Sequence, residues 1–139
     1  VFYMATDEFI SICGGLVQYK GNSKYITIPD GIRKIDPRVF ASCNNIEKVS
    51  LPESLNIIAG GAFSGCHNLK HISIPYSVEI IGPHAFGRCE KLETICLPRG
   101  LKRLSRTAFH LCDNLTVYVP KGSYSEMCAK IMKIPYDII

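Results

Sequence analysis

Apolar side chains recur along most of this chain at intervals of 23 residues, far longer than the period of a helix or a strand. The same interval separates four prolines, four phenylalanines and four cysteines: Pro29, Pro52, Pro75, Pro98; Phe40, Phe63, Phe86, Phe109; Cys43, Cys66, Cys89, Cys112. Self-similarity at a fixed period of this size is typical of tandem-repeat proteins. The pattern therefore predicts a solenoid in which each repeat forms one coil.

Each repeat contains two extended pieces on opposite sides of the predicted coil. In one repeat, residues 71–74 alternate polar and apolar side chains and are rich in β-branched residues, which predicts a short strand. Pro75 ends that strand because proline has no N–H to donate to a ladder. Residues 78–81 predict a second extended piece.

The end of each repeat predicts a tight turn that closes the coil. Residues 84–89 are too few for a stable free helix, so they predict one helical or 3₁₀ turn that buries Phe86 and Cys89. Stacked coils repeat at about 4.8 Å, the spacing of paired strands. The Phe, Ile and Cys positions are therefore expected to form continuous ladders through the core.

Strand and turn together resemble a known class of repeat. Leu69, Ile72 and Ile74 match the opening Leu-x-x-Ile-x-Ile of the leucine-rich-repeat pattern. The proline after the strand and the Ala-Phe-Ser-Gly-Cys sequence at 62–66 are similar to the BspA-like leucine-rich-repeat family. The resemblance implies an α/β-type leucine-rich-repeat solenoid, a right-handed superhelix. Its short parallel strands would line the concave face, and short extended or 3₁₀ turns the convex side.

The repeats and their flanks indicate one domain that spans residues 1–139. We predict an N-terminal cap at 1–24, four 23-residue repeats at 25–115 and a C-terminal cap at 116–139. The N-terminal cap resembles the hairpin that precedes the first full repeat in the family, here at residues 9–21.

The C-terminal cap is predicted to contain one helix and one last strand. The helix is expected at residues 125–133, with Met127, Ile131 and Met132 as its inward side chains. Residues 134–139 are expected to add the strand.

Composition and motifs exclude several classes of function. The formal net charge is +4, with both signs mixed along the chain, which argues against nucleic acid or a membrane surface as partner. No apolar run reaches the roughly 18 residues of a membrane span, so we expect no membrane insertion. His67 and His71 are four apart, but the segment between them enters a strand, which does not favour a shared metal. No nucleophile triad, phosphate loop or zinc motif is present, so we expect no enzyme activity, cofactor or metal site.

The cysteines are best interpreted as small buried side chains. Four thiols in a line do not form the tetrahedral cluster that zinc requires, and thiols that point the same way do not favour disulfides. Cys13 and Cys128 lie in the caps and are expected to be half exposed. Cys96 is predicted to face outward from its strand, which leaves thiol or redox chemistry there as a minor alternative.

The outward positions of the strands are the candidate binding surface, since solenoids of this class bind through the concave sheet. Tyr and Arg, both favoured at binding hot spots, occur there. The positions just after the strands run from acidic Asp30 and Glu53 to basic Arg99 and Lys121. The competing interpretation is an ordinary polar sheet face. The candidate protein-binding residues are Tyr25, Lys48, His71, Ser73, Tyr76, Thr94, Arg99 and Tyr118.

These observations favour a non-enzymatic protein–protein interaction module. The resemblance implies an adhesin-like protein at the cell surface or secreted, with a host extracellular-matrix or cell-surface protein as ligand. The opening residues show no signal peptide, and since the chain does not begin with Met, such a segment could have been removed. The alternative is a structural spacer or oligomerisation module of a larger surface protein.

Overall fold

The computed structural model describes residues 3–6 and 8–139; residues 1, 2 and 7 of the predicted N-terminal cap lie outside this description. The elements in chain order are β1 (Tyr3–Ala5), β2 (Phe9–Ile12), β3 (Gly15–Tyr19), β4 (Tyr25–Thr27), β5 (Lys34–Ile35), β6 (Lys48–Ser50), β7 (Ile57–Ile58), β8 (His71–Ser73), β9 (Ile80–Ile81), β10 (Thr94–Cys96), β11 (Arg103–Leu104), β12 (Thr116–Val119), α1 (Tyr124–Met132) and β13 (Tyr136–Ile138).

The strands form two sheets on opposite sides of a stack of coils. One sheet has six strands in the order β13-β12-β10-β8-β6-β4, and the other has seven in the order β1-β2-β3-β5-β7-β9-β11. Strands of successive repeats pair in parallel with a 23-residue offset, as between Ile57 and Ile80. The predicted solenoid of stacked coils is confirmed, and the second extended pieces form a sheet of their own.

The core contains the aromatic ladder that the repeat predicts. The rings of Phe40 and Phe63 stack with centroids 5.0 Å apart, and those of Phe63 and Phe86 with centroids 5.3 Å apart. Phe109 continues the ladder at 6.0 Å, and Tyr19 from the N-terminal cap begins it at 5.0 Å. The three central rings are fully buried.

Tight turns close each coil and join it to the next. The turn around Phe63 has hydrogen bonds from Ser64 N–H to Gly61 C=O and from Cys66 N–H to Phe63 C=O. Between coils, Phe63 N–H donates to Ala85 C=O at 2.7 Å, and its counterparts in neighbouring repeats make the same bond. The turns therefore form a third line of hydrogen bonds between coils, besides the two sheets.

The N-terminal cap is an antiparallel hairpin of β2 and β3, as predicted, and β1 adds a third antiparallel strand that the sequence did not reveal. β3 then pairs in parallel with β5. Phe9 packs on Tyr19 with ring centroids 5.5 Å apart, which covers the N-terminal end of the aromatic ladder.

The C-terminal cap has the predicted helix, which begins and ends one residue earlier than expected, and the predicted last strand, which is shorter than expected. Ser123 Oγ accepts a hydrogen bond from Glu126 N–H at 3.1 Å, which satisfies one free donor of the first helical turn. Gly122 N–H donates to the Glu126 carboxylate and, together with the ammonium of Lys130, holds the pKa of Glu126 below its usual value. β13 pairs in parallel with β12.

The predicted inward face of α1 is wrong for two of its three residues. Met127 is 50% exposed and Ile131 is 55% exposed, whereas Met132 is partly buried against the core. The buried face is made instead of small side chains, Ser125, Cys128 and Ala129. Ser125 Oγ donates to Pro98 C=O at 2.8 Å, a close approach to the preceding coil that bulky side chains would prevent.

Replacement of Phe63 by Ala should lower the free energy of unfolding by about 3–5 kcal/mol, through lost burial and a cavity between two rings. Tyr25→Ala removes an aromatic side chain that is 71% exposed, and should change the free energy of unfolding by less than about 0.5 kcal/mol. Urea unfolding followed by circular dichroism measures both. Equal losses in the two variants would contradict the ladder as a main source of stability.

Ser123→Ala should lower the free energy of unfolding by about 1 kcal/mol, because the first turn of α1 loses its capping acceptor. Ser50→Ala, at an exposed strand position, is the matched control and should have little effect. Thermal unfolding of both variants provides the measurement. A control variant as destabilised as Ser123→Ala would show that the cap contributes nothing specific.

Candidate functional site

The eight predicted candidate residues all lie on the outward side of the six-stranded sheet or just beyond its strands. One row is in direct register across neighbouring strands: Tyr25, Lys48, His71 and Thr94. A second row brings Ser73 into register with Cys96 and Tyr118. Alternation along each strand produces this arrangement, because the residues between the rows, such as Ile72, point into the core.

The two most exposed tyrosines of this surface stand at different rows. Tyr25 is 71% exposed and Tyr76 is 72% exposed, so both rings are available to a partner. Lys48, His71, Ser73 and Arg99 are also exposed, whereas Thr94 and Tyr118 are half-buried. We call these eight residues the outward face.

His71 lies near the middle of the outward face. Its Nδ1 forms a hydrogen bond with Thr94 Oγ1 across the β8–β10 pair. Its Nε2 lies 3.9 Å from a carboxylate oxygen of Glu93. These two neighbours orient the ring, which is worth little in stability at an exposed site but limits how the ring meets a ligand.

The row beyond the strands carries the charge gradient seen in the sequence. Asp30 and Glu53 are exposed at one end, Arg99 and Lys121 at the other, and Tyr76 stands between them. The Arg99 guanidinium donates to the backbone C=O of Lys121 at 3.1 Å, which ties the last two members together. The face therefore has a direction, acidic toward the first coil and basic toward the last.

The six-stranded sheet is weakly paired at one junction. β6 and β8 pair only at Lys48 and His71, whereas β4–β6 and β8–β10 each pair at three positions. On the opposite side of the same two coils, β7 and β9 pair at both of their positions. The second and third coils are thus fully paired on the seven-stranded side and paired at one position only on the six-stranded side.

Missing backbone hydrogen bonds accompany this weak pairing, and one of them lies at Leu51. At the next junction, Ile74 N–H donates to Cys96 C=O at 3.0 Å. Within residues 8–139, the equivalent bond from Leu51 N–H to Ser73 C=O is not formed. Leu51 is also half-buried, whereas Ile28, Ile74 and Leu97, its counterparts in the other repeats, are almost completely buried.

Two depressions flank the single pairing of Lys48 with His71. The larger, of about 460 Å³, lies toward the ends of the strands, and its lining includes Ser50, Leu51, Glu53, Ser73, Pro75 and Cys96. The smaller, of about 340 Å³, lies at their beginnings and is lined by Tyr25, Glu47, Lys48, Lys70 and His71. We call the larger depression the notch. The sequence did not predict it, because its residues obey the same repeat pattern as the closed junctions.

In the cysteine column, Cys66 and Cys89 are buried as predicted, whereas Cys43 and Cys112 are half-buried. Cys66 Sγ donates to Phe40 C=O and Cys89 Sγ to Phe63 C=O, both at 3.2 Å. Burial raises the pKa of Cys66 to about 12, and the hydrogen bond with Cys112 and burial also raise the pKa of Cys89. The thiols therefore tie each coil to the preceding one. All seven cysteines are free.

The three cysteines outside the column differ in their exposure. Cys96 lies on the outward side of its strand, as predicted; it is half-buried and lines the notch. Cys13 is exposed, and Cys128 is buried, so the expected half exposure is wrong for both. Cys128 is covered because it lies on the small-residue face of α1 that packs against the coils.

Other titratable groups do not converge on a common centre. Over residues 3–6 and 8–139, no three His, Cys, Asp or Glu side chains are placed to share a metal ion. His84 and His110 are exposed, and their rings meet edge to face with centroids 5.3 Å apart.

Within residues 3–6 and 8–139, no helix has the length and apolar character needed to cross a membrane.

Stacked coils with short parallel strands and the Leu-x-x-Ile-x-Ile pattern define a leucine-rich-repeat protein. The profile of the BspA type leucine-rich-repeat region matches residues 12–131 in six copies. The chain therefore belongs to the BspA-type leucine-rich-repeat family. A search among curated proteins found no match.

Solved structures of bacterial leucine-rich-repeat proteins share this fold. A leucine-rich cell surface protein of Faecalibacterium prausnitzii has a TM-score of 0.68 at 23% identity, over 91% of this chain and 41% of that one. A leucine-rich repeat protein of Eubacterium ventriosum has a TM-score of 0.67 at 24% identity, over 85% and 32%. The pneumococcal vaccine antigen PcpA has a TM-score of 0.64 at 23% identity, over 84% and 35%. The chain thus spans well under half of these proteins, and the likeness concerns the fold alone.

Native Cys66 should react with iodoacetamide far more slowly than exposed Cys13 at pH 8. A pKa of about 12 in place of 9.0 leaves about a thousandfold less thiolate on Cys66, and burial also blocks access. Peptide mapping by mass spectrometry gives the rate at each cysteine, and guanidinium chloride should make the rates similar. Fast labelling of native Cys66 would contradict its burial. Labelling of Cys96 faster than free cysteine would support thiol or redox chemistry at that residue.

Proposed function

We propose that this protein is a non-enzymatic protein–protein interaction module that binds its ligand through the outward face. The observation that carries the proposal is the unbroken row of exposed side chains across neighbouring strands, from Tyr25 through Lys48 to His71. Parallel strands with a constant offset hold such side chains on a rigid backbone. A rigid surface loses little conformational entropy on binding.

The chemistry of the outward face suits a protein ligand. Tyr25, Tyr76 and Arg99 belong to the residue types that contribute most at protein interfaces. The hydroxyl of Ser73 and the ring nitrogens of His71 add directional hydrogen bonds. The acidic-to-basic gradient would favour one orientation of a ligand with the opposite gradient.

The family supports an adhesin-like role at the cell surface or in secreted form. The similar structure from F. prausnitzii is described as a cell surface protein, and PcpA as a pneumococcal vaccine antigen. By this analogy, the ligand is a host extracellular-matrix or cell-surface protein. In this proposal the coil is right-handed, and the six-stranded sheet lines its concave side.

A spacer or oligomerisation module is the second candidate, and the ends of the solenoid favour it. β4 and β13 are the two edge strands of the six-stranded sheet. Ile138 and Ile139 at the β13 end are 46% and 66% exposed, and Met127 and Ile131 add further apolar surface on α1. Exposed strand edges of this kind can pair with another chain.

The test is a binding screen of the purified chain against arrayed extracellular-matrix proteins, glycans and bacterial surface extracts. The variant is His71→Ala/Tyr76→Ala/Tyr118→Ala, which removes three side chains from different rows of the outward face. We expect a protein ligand whose affinity falls at least about 30-fold in this variant, since a hot-spot side chain contributes about 2 kcal/mol or more.

The matched control is Lys34→Ala/Arg103→Ala, two exposed positions on the seven-stranded sheet. It should leave binding unchanged, and circular dichroism should show that both variants fold. A ligand that survives the outward-face variant, or that is lost in the control, would contradict the proposal. Concentration-dependent self-association in size-exclusion chromatography, with no ligand found, would favour the oligomerisation module instead.

A further inference from the structure

We propose that the notch between β6 and β8 is a subsite for a glutamine or asparagine side chain of the protein ligand. The inference rests on the proposed function and names where, within that surface, one ligand group is recognised. Three features of the notch support it: a backbone hydrogen bond that is not formed, the half-buried side chain of Leu51 and a lining of mostly uncharged residues.

At this junction one backbone donor and one backbone acceptor are not bonded to each other. In the repeat pattern, Leu51 N–H and Ser73 C=O would pair as Ile74 N–H and Cys96 C=O do at the next junction. Here that bond is not formed, and both residues line the notch. Backbone polar groups are strong hydrogen-bonding groups, so a ligand group that satisfies both is favoured.

A primary carboxamide is the side-chain group that matches this pair. Its C=O accepts from Leu51 N–H while its NH₂ donates to Ser73 C=O, which replaces the missing bond of the ladder. A carboxylate has no hydrogen to donate to Ser73, and an ammonium has no lone pair to accept from Leu51. A hydroxyl must make both bonds through one oxygen, whereas the carboxamide makes them through two different atoms.

The rest of the notch suits the stem of such a side chain. Leu51 is half-buried, whereas the equivalent residues of the other repeats are buried. Pro75 also lines the notch, so the methylene groups of the ligand side chain find apolar contacts. Lys48, Glu53 and His71 also line the notch, and its other lining residues are uncharged. A volume of about 460 Å³ accommodates one inserted side chain together with part of its backbone.

The equivalent positions of the other junctions do not offer this group. Ile28 N–H donates to Ser50 C=O at 3.0 Å, and Leu97 N–H to Tyr118 C=O at 2.9 Å. Their backbone groups are already paired, so a carboxamide would gain nothing by approaching them. The subsite is therefore confined to one of the junctions between coils, although the repeats share the same pattern.

The experiment is a titration of the ¹⁵N-labelled chain with three capped amino acids of similar length. The probes are the N-acetyl methylamides of glutamine, glutamate and methionine, which share their backbone amides and differ in the side-chain end group. Amide chemical shifts of Leu51 and Ser73 are followed. We expect the glutamine probe to move these resonances at least threefold more than either of the other two.

Two variants separate the notch from general surface binding. Ser73→Trp fills the notch and should abolish the glutamine-specific shifts. Thr116→Trp places the same ring on β12, outside the notch, and should leave them unchanged. Unaltered thermal unfolding would show that both variants keep the fold.

Equal shifts with all three probes, or glutamine-specific shifts that persist in Ser73→Trp, would overturn the subsite. The outcome is distinguishable from failure of the proposed function. A protein ligand that is lost in the outward-face variant but retained in Ser73→Trp would leave the binding face intact and remove the subsite. Loss of that ligand in Ser73→Trp, but not in Thr116→Trp, would support both.

Discussion

Register between neighbouring coils is the constraint on which this structure depends. Each coil presents the same backbone groups 23 residues after the last, so hydrogen bonds form along two sheets and along the turns. The Phe rings stack at 5.0–6.0 Å through the centre, and buried thiols bond to the preceding coil. Nearly all these contacts join adjacent coils, so stability is approximately a sum of coil and interface contributions. A coil without its neighbours has no core.

The same constraint separates stability from recognition. Inward positions are occupied by a small set of residue types because each must fit against its own counterpart above and below. Outward positions are free of this requirement, and there the chain places residues as different as Tyr25, Lys48, His71 and Thr94 in one row. Residue types can vary freely only on the surface, and this freedom is one reason for proposing that surface as the binding face. The notch is a further use of the same design, in which one junction is left open on one side while the turns and the other sheet hold the coils together.

Periodicity made much of the fold predictable. The strands, the N-terminal hairpin, the capping helix and the buried Phe and Cys positions all follow from residue types at fixed intervals. Features that break the period were missed: β1 is a single added strand, and the inward face of α1 is decided by close packing that admits Ser125 and Ala129 but not Met127 or Ile131. The positions of the candidate site residues on the outward face followed from strand alternation. The opening between β6 and β8 did not, because it depends on how two coils settle against each other and not on either repeat alone.

Residue-by-residue hydrogen exchange of the free protein tests this account most directly. Because three lines of hydrogen bonds join the coils, we expect slow exchange at Gly82, Phe63 and Ile74. We expect fast exchange at Leu51, whose bond to the next coil is not formed. Ile28 and Leu97, at the equivalent positions of closed junctions, should be protected like Ile74. Protection of Leu51 equal to that of its three counterparts would contradict the open junction. Fast exchange at Phe63 and Gly82 would contradict the stacking on which the whole fold rests.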